Sequence, residues 1–321
     1  MPAAAVPLLD RRLLFVTGKG GVGKTTIASA LGVLAARQGK RTLVCEFDAK
    51  GNLADFFGSD PTSFAPTEVL PGLFAMSMDT EESLKEYLRL QIKVPLLAKI
   101  GPLARTLDFV ANAAPGVKEI LTVGKVAWEV KEDHYDLVIA DAAASGHVVA
   151  QLSAPQAIGE LVKVGLIREQ TSWLSEILDD PATTGAVLVS APEEMPVSET
   201  LELAERIRTE TNVDIATVAV NRVLPELFGR GEEAVFEALA QPVERERLDA
   251  VVGHPTQPLF DAARLAVTLR RTRAEHLDRL RRHLPADIPL AYVPELFSRS
   301  HGSRATHQVA ESLGAELGFD L

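Results

Sequence analysis

The sequence predicts an α/β fold, a mostly parallel β-sheet flanked by helices, on three observations. A strand at residues 13–17 runs through a glycine-rich loop into a helix that extends to about residue 38. Short apolar strands then alternate with amphipathic helices along most of the chain, which is typical of a parallel sheet. Two of these strands, at residues 41–47 and 135–141, end in acidic polar segments, where open α/β sheets place their ligands.

The loop after the first strand has the sequence Gly18-Lys19-Gly20-Gly21-Val22-Gly23-Lys24-Thr25-Thr26. Its first and last glycines and the Lys-Thr pair that follows fit the P-loop pattern, in the strand–loop–helix context that the pattern requires. Glycines let successive backbone N–H groups point at phosphate oxygens, and the N-terminus of the next helix adds positive charge. We therefore predict a P-loop NTPase in which residues 18–26 bind ATP, with Lys24 on the phosphates and the Thr25 hydroxyl on Mg²⁺.

Lys19 is a second lysine, at a position that the P-loop pattern leaves free. The segment at residues 18–26 resembles the deviant Walker A motif of the ParA, MinD and ArsA group of dimeric ATPases. The resemblance implies that Lys19, like Lys24, takes part in catalysis, but by reaching the nucleotide of a partner subunit. The alternative is a solvated lysine on a loop.

The composition is that of a globular protein with an acidic balance of charge. The 321 residues are 46% hydrophobic and carry 44 acidic against 33 basic side chains, a net charge of −11 that argues against bare DNA as the main partner. The single cysteine, Cys45, lies in a predicted strand, so a disulfide framework and a cysteine-ligated metal site are excluded within one chain. No apolar run reaches membrane-spanning length and residues 1–10 lack the features of a signal peptide, so we expect a cytoplasmic protein without an integral membrane segment.

After the first helix, residues 41–47 are predicted to form the second strand and residues 48–58 a polar loop at its carboxyl end. A third strand is predicted at residues 73–78, and about fifty residues without a strand pattern follow, which is long for a crossover. We interpret residues 80–131 as a helical subdomain inserted into one domain that spans the chain. Its three predicted amphipathic helices are marked by Leu84, Leu88 and Ile92, by Leu103, Leu107 and Val110, and by Val117, Ile120, Leu121 and Trp128. The third is apolar on several faces, which indicates either burial on both sides or a contact surface.

The strand at residues 135–141 ends in Asp141, which is predicted to hold Mg²⁺ through water as in a Walker B strand. The alternative is an aspartate that caps the next turn. The small residues at 142–147 are predicted to form a loop that moves with the γ-phosphate. The remaining predicted elements are a helical segment at 153–182, strands at 185–190, 215–220 and 290–293, a helix at 196–211, a long helix through Leu265 and Leu284, and a C-terminal helix from Arg304.

Several of these motifs, in this order, resemble those of the ArsA-like ATPases, which include arsenite-pump ATPases and the ATPases that target tail-anchored membrane proteins. Residues 48–58 are similar to the first switch of this family, and residues 141–147 are similar to the second. The resemblance implies that Asp48 orients the attacking water. It also makes Asp48 a candidate for the metal site, together with Thr25 and Asp141.

The resemblance extends to the base and to the partner subunit. Asn221 matches the asparagine that reads adenine, with Arg222 beside it, and Pro294 and Glu295 match the loop that covers the base. The segment at residues 114–119 resembles a bacterial branch of the family in which two different subunits pair. A homodimer, or a heterodimer with a related ArsA-like subunit, is therefore implied.

The chain departs from the family where cargo is recognised. The metalloid-binding cysteines, the zinc Cys-x-x-Cys and a methionine-rich insert are missing, and Ala49-Lys50-Gly51 replaces the Pro-Ala-His of the first switch. We expect a dimeric Mg-ATP-hydrolysing switch whose helical subdomain contacts an unknown protein client or partner, and no nucleic acid. A ParA- or MinD-type positioning ATPase, a biosynthetic P-loop ligase and a nucleotide-binding structural subunit with little turnover remain alternatives.

Overall fold

The computed structural model describes residues 6–48, 53–92, 117–161, 166–229, 231–297 and 302–319. Within these residues, eight strands form one sheet. The strands are β1 (Leu13–Gly18), β2 (Thr42–Glu46), β3 (Thr67–Leu70), β4 (Leu73–Ser77), β5 (Leu137–Ala144), β6 (Thr184–Ser190), β7 (Ile215–Val223) and β8 (Leu290–Pro294). The predicted α/β fold with a mostly parallel sheet is confirmed.

The strand order is β3-β4-β2-β5-β1-β6-β7-β8, and every neighbouring pair is parallel except β3 with β4. β1 lies near the middle and is buried on both faces, as a continuous apolar run predicts for a parallel strand. The parallel strands all end at the same side of the sheet, here named the carboxyl edge. The glycine-rich loop after β1 and the polar residues at the ends of β2 and β5 therefore meet there.

Helices cover both faces of the sheet. They are α1 (Lys24–Arg37), α2 (Leu53–Phe57), α3 (Thr80–Ile92), α4 (Val117–Lys131), α5 (Ser145–Leu161), α6 (Leu166–Asp179), α7 (Glu194–Glu210), α8 (Glu232–Leu239), α9 (Pro242–Val252), α10 (Gln257–His283) and α11 (Ser303–Glu316). Alternate residues of β1 face two separate cores, Leu13 and Phe15 one and Leu14 and Val16 the other. The first core holds α4 to α7 and the C-terminal half of α10, and the second holds α1, α2 and α11.

α3 and α4 are the described part of the predicted helical subdomain. The apolar residues of α4 that are buried in the core of the sheet are Val123, Val126, Ala127 and Val130. Of the two interpretations of this helix, burial is therefore the one that applies to these residues. Lys125 is buried as well, and it donates to Glu129 at 2.6 Å and to Glu86 of α3 at 2.9 Å, which joins the two helices. The helix predicted around Leu103, Leu107 and Val110 lies outside the described residues.

Three local predictions differ from the structure. The sequence pattern does not predict β3, because this short strand lies at the antiparallel edge and none of its residues is buried. Residues Leu53–Phe57 form α2 within the segment predicted as a polar loop. The predicted loop at residues 142–147 is wrong, because Ala144 continues β5 by pairing with Gly18 and α5 begins directly at Ser145.

Candidate nucleotide site

The glycine-rich loop lies at the carboxyl edge between β1 and α1, and at two of its positions only glycine fits. Gly18 has φ +152°, and a Cβ there would lie 2.2 Å from the carbonyl oxygen of Val189. Gly23, with φ +97°, would place a Cβ 2.3 Å from Nδ2 of Asn221. The backbone therefore approaches β6 and β7 more closely than any side chain allows. Because α1 begins at Lys24, its free N–H groups and the positive end of its dipole face the loop.

Asn221 holds the loop from β7. Its buried side chain donates from Nδ2 to the carbonyl oxygen of Val22 at 2.9 Å, and its Oδ1 accepts from the N–H of Arg222 at 2.9 Å. Val22 is itself buried in the core beneath α1. The loop is thus fixed both by its own apolar residue and by a side chain 199 residues further along the chain.

Thr25 and Asp141 are in direct contact beside the loop. The Thr25 hydroxyl donates to Oδ2 of Asp141 at 2.6 Å, whereas Oδ1 of Asp141 is buried without a hydrogen-bond partner in the described part of the chain. Burial raises the pKa of Asp141 from 3.8 to about 6, although the Thr25 hydrogen bond and the charge of Lys24 oppose the shift. A buried carboxylate oxygen next to a threonine hydroxyl is the donor set that Mg²⁺ uses in P-loop proteins.

Glu46 is a carboxylate of this site that the sequence analysis does not identify. It ends β2, is 2% exposed and lies in register with Asp141 of β5, so the two side chains share one face of the sheet. The Ser77 hydroxyl donates to its Oε2 at 3.3 Å. The charges of Glu46 and of the exposed Asp48 both add to the raised pKa of Asp141. The sequence does contain a signal that could have identified Glu46, because it is an acidic residue inside an otherwise apolar strand.

Lys19, the second residue of the loop, is partly buried. Its Nζ donates to Oε1 of Glu199 at 2.7 Å, and both side chains retain about a third of their exposure. Glu199 belongs to α7, which starts at the carboxyl edge after β6. The lysine that sequence reasoning assigned to a partner's nucleotide therefore pairs within its own chain in this structure.

The residues predicted to bind the base lie together at the ends of β7 and β8. Arg222 has φ +60° and an exposed side chain, and its carbonyl oxygen accepts from Arg273 of α10 at 3.1 Å. Arg273 also pairs with Glu295 at 3.6 Å. Pro294 ends β8, and the N–H of Glu295 donates to the carbonyl oxygen of Val223 at 2.9 Å. These contacts join the two strand ends that flank Asn221.

The sequence that builds this site matches one known family. A family model described as anion-transporting ATPase, ArsA_ATPase, matches residues 11–172 and 163–252, more than half of the chain. The chain belongs to the ArsA ATPase family. The predicted resemblance to ArsA-like ATPases is confirmed, and with it the assignment to a class of ATPases.

Individual relatives are similar at a moderate level. ATPase BagA of Mycobacterium tuberculosis is 29% identical over 225 residues, which cover 67% of this chain and 66% of the relative. A putative arsenical pump-driving ATPase of Halobacterium salinarum is 29% identical over 299 residues, 86% of this chain and 44% of the relative. ATPase ASNA1 homolog 1 of Paramecium tetraurelia is 28% identical over 254 residues, 66% of this chain and 74% of the relative. The aligned region thus spans slightly under two thirds of the first of these relatives and under half of the second.

The site residues predicted from the P-loop pattern, from the acidic strand ends and from the ArsA resemblance lie at the carboxyl edge. They are the loop residues 18–26, Asp48, Asp141, Asn221, Arg222, Pro294 and Glu295. Residues 49–52 of the first switch lie outside the described residues, whereas the helix α2 that follows them is held where the Thr306 hydroxyl of α11 donates to the carbonyl oxygen of Phe56 at 2.9 Å. Among the described residues, no helix is long and apolar enough to cross a membrane.

Proposed function

We propose that this chain is one subunit of an ATP-hydrolysing dimer whose conformation depends on the bound nucleotide. The observation that carries the proposal is the contact of Thr25 with Asp141 beside a P-loop that has a second, partly exposed lysine, Lys19. ATP and Mg²⁺ are its ligands. Both a homodimer and a heterodimer with a related subunit fit the proposal. In either case one chain supplies the residues that hold ATP and the partner's nucleotide is the proposed target of Lys19.

The residues present fit a magnesium ion. Thr25 and Asp141 would hold it, because the Thr25 hydroxyl already lies at Asp141 and the second carboxylate oxygen is buried without a partner in the described chain. When bound, Mg²⁺ would neutralise charge on the phosphates. Among the described residues no cluster of three His, Cys, Asp or Glu side chains could hold a metal alone, which agrees with an ion held mainly by phosphate and water.

Asp48 is proposed to orient the attacking water. It follows β2 at the carboxyl edge, is exposed, and lies near enough to Asp141 for its charge to affect the pKa of that residue. An exposed carboxylate beside the phosphates can accept a hydrogen bond from water and hold it in line. Lys24 stabilises the charge that develops on the phosphate oxygens.

Lys19 is proposed to act on the nucleotide of the partner subunit. In this structure it is paired with Glu199, and both residues are partly exposed at the carboxyl edge. An ion pair of this exposure contributes at most about 1 kcal/mol, so the attraction of a second triphosphate exceeds it. The exchange of Glu199 for phosphate would make closure of the dimer depend on ATP.

Asp48→Asn tests hydrolysis separately from binding. The substitution should lower the rate of ATP turnover at least a hundredfold and leave ATP affinity within a few-fold, because Asp48 acts on the transition state. Phosphate release and binding of a fluorescent ATP analogue are the two measurements. Normal turnover by the variant would sink the assignment of Asp48. A native chain that binds ATP without releasing phosphate would favour the structural subunit with little turnover.

Lys19→Ala tests action across an interface. Mixing inactive Lys19→Ala subunits with inactive Asp48→Asn subunits should restore phosphate release, because each mixed dimer then has one site with Asp48 in cis and Lys19 in trans. Sedimentation velocity with ATP and Mg²⁺ measures the accompanying association. Equal activity in mixed and unmixed samples would show that Lys19 does not act in trans.

A further inference from the structure

β7 is irregular where it reaches the carboxyl edge. Its pairing with β8 shifts register between Val220 and Val223, where three steps along β7 match two steps along β8. The extra residue makes this a β-bulge that contains Asn221 and Arg222. A bulge bends its strand and changes the direction of the side chains, and bulges are frequent beside functional sites.

Arg222 adopts a backbone conformation that costs free energy. Its φ is +60°, in the left-handed region where glycine is the usual residue and a long side chain is uncommon. Both of its backbone groups are held in place. The N–H donates to Oδ1 of Asn221 at 2.9 Å, and the carbonyl oxygen accepts from Nη1 of Arg273 at 3.1 Å. These contacts therefore keep the bulge in a conformation that the residue itself does not favour.

Arg273 of α10 also contacts the chain just after β8. Its Nη1 lies 3.6 Å from Oε2 of Glu295, and the two side chains are 24% and 29% exposed. The N–H of Glu295 donates to the carbonyl oxygen of Val223 at 2.9 Å. A guanidinium carries five donors in one plane, so it can contact a carbonyl oxygen and a carboxylate together. Arg273 thus joins the bulge of β7 to the end of β8 from a third element.

Asn221, the other residue of the bulge, contacts the P-loop. Its Nδ2 donates to the carbonyl oxygen of Val22 at 2.9 Å. The bulge is therefore connected to the P-loop on one side and to Arg273 on the other. The ArsA resemblance assigns Asn221 and Glu295 to the base of the nucleotide. Arg273 has no such assignment, and it lies beyond residue 252, where the match to the family model ends.

We propose that Arg273 is a positioning residue for the purine base of ATP. The inference rests on the proposed function, in which ATP is the ligand and the ends of β7 and β8 flank its base. Arg273 holds both strand ends before ATP binds, so the base enters a site whose backbone does not have to be ordered on binding. Without Arg273, the strain at Arg222 favours a different backbone conformation. The phosphates depend less on Arg273, because the P-loop is also anchored by the buried Val22.

Arg273→Met tests the proposal, because methionine keeps much of the apolar stem and has no hydrogen-bond donor. We expect the Kd and the KM for ATP to rise about tenfold, while kcat stays within about twofold of the native value. Magnesium tripolyphosphate, which has no base, should bind within about twofold of its native affinity. Isothermal titration calorimetry and phosphate release are the measurements. The matched control is Arg271→Met on the same helix, at a residue that is 68% exposed and paired with Glu233, and it should change none of these values.

Glycine at position 222 shows whether Arg273 acts through the bulge. Glycine adopts a φ of +60° without strain, so the bulge then needs less support from Arg273. The rise in the Kd for ATP that Arg273→Met causes should therefore be at least about threefold smaller in an Arg222→Gly background than in the native background. An equal rise in both backgrounds would show that Arg273 does not act through the bulge and would overturn the proposal.

The two ligands separate this inference from the proposed function. If the native chain binds ATP and tripolyphosphate, and Arg273→Met weakens both equally or neither, Arg273 does not position the base and the proposed function stands. Native binding of tripolyphosphate as tight as that of ATP would likewise overturn the inference alone, because the base would then add nothing. If the native chain binds neither ligand, both proposals are wrong.

Discussion

The P-loop and the insertion between β7 and β8 at residues 225–229 and 231–271, named the helical arm, lie at the same edge of the sheet. The two regions are nevertheless stabilised in opposite ways. At Gly18 and Gly23 of the P-loop, an added Cβ would lie 2.2 Å from the carbonyl oxygen of Val189 and 2.3 Å from Nδ2 of Asn221, and Val22 is buried. In the arm, α8 and α9 bury no residue, and the contacts are those of a few aromatic rings and ion pairs. The loop that is predicted to bind phosphates is thus built into the sheet, whereas the exposed apolar residues of the arm lie on helices outside it.

The largest effect is expected from a substitution in the P-loop, the more tightly packed of the two regions. Gly23→Ala would place a methyl group 2.3 Å from Nδ2 of Asn221, at a φ of +97° that alanine rarely adopts. We expect ATP affinity to fall at least a hundredfold and the free energy of unfolding to fall by about 2–4 kcal/mol. Titration with a fluorescent ATP analogue and chemical denaturation measure the two effects.

Gly20 offers a matched control in the same loop. A Cβ there meets no atom within 4 Å, and its φ is not in the left-handed region. Gly20→Ala should therefore leave the free energy of unfolding within about 0.5 kcal/mol of the native value. Equal destabilisation by both substitutions would show that the close approach to Asn221 does not explain the requirement for glycine at position 23.

The sequence predicts those features of the site whose residues lie close together along the chain. The P-loop combines a strand, nine residues and a helix start, so spacing alone identifies Lys24 and Thr25. The contact of Asn221 with Val22 joins residues 199 positions apart, and that of Lys19 with Glu199 joins residues 180 apart. No local pattern encodes such a contact, so the sequence suggested a role for Asn221 and Lys19 without their partners in this chain.

The helical arm shows a different limit of sequence reasoning. Leucine spacing predicts α10 as one amphipathic helix, and for Leu280, which is fully buried, this is correct. Leu265 and Leu269 continue the same type of pattern but are exposed. Periodicity separates an apolar face from a polar face, and it does not state whether the sheet or a partner covers that face. The sequence interpretation accordingly placed the contact surface at residues 80–131, where Val123, Val126, Ala127 and Val130 of α4 are buried in the sheet core.

The next effect in size concerns the charge buried at the site. The pKa of Asp141 is raised to about 6 from 3.8, so the protonated form favours folding. The corresponding stability is fully present below about pH 4 and is lost as pH rises through about 6, up to roughly 3 kcal/mol. Asp141→Asn should remove this dependence and make the nucleotide-free protein more stable than the native chain at pH 7.5.

Denaturation between about pH 4 and pH 7 measures the effect, because the stability changes over this range, and Asp287→Asn, at an exposed residue, is the control that should change nothing. The same Asp141→Asn variant should lose most of the Mg²⁺ dependence of ATP affinity, because the ion then lacks its carboxylate. A variant with native pH dependence would show that a group other than Asp141 carries the titration.

A smaller effect is expected where the P-loop contacts α7, at the pair of Lys19 with Glu199. Glu199→Gln removes the charge that holds Lys19 in its own subunit, so ATP-driven association should strengthen about two- to fivefold. ATP affinity of the monomer should not change. Glu210→Gln on the same helix, which breaks an exposed pair with Arg206, is the matched control. Weaker association of Glu199→Gln would instead place Glu199 in the dimer contact.

The smallest effect is expected in the monomer when the exposed half of α10 is altered. Leu265→Ala removes a side chain that is 60% exposed, so the free energy of unfolding without nucleotide should change by less than about 0.5 kcal/mol. Leu280→Ala, on the same helix but fully buried in the sheet core, should cost about 2–5 kcal/mol. Chemical denaturation of the two variants therefore compares one substitution in two environments. A loss above 1 kcal/mol at Leu265 would mean that the arm is packed in the monomer. In that case its aliphatic residues would be part of the core and not an exposed surface.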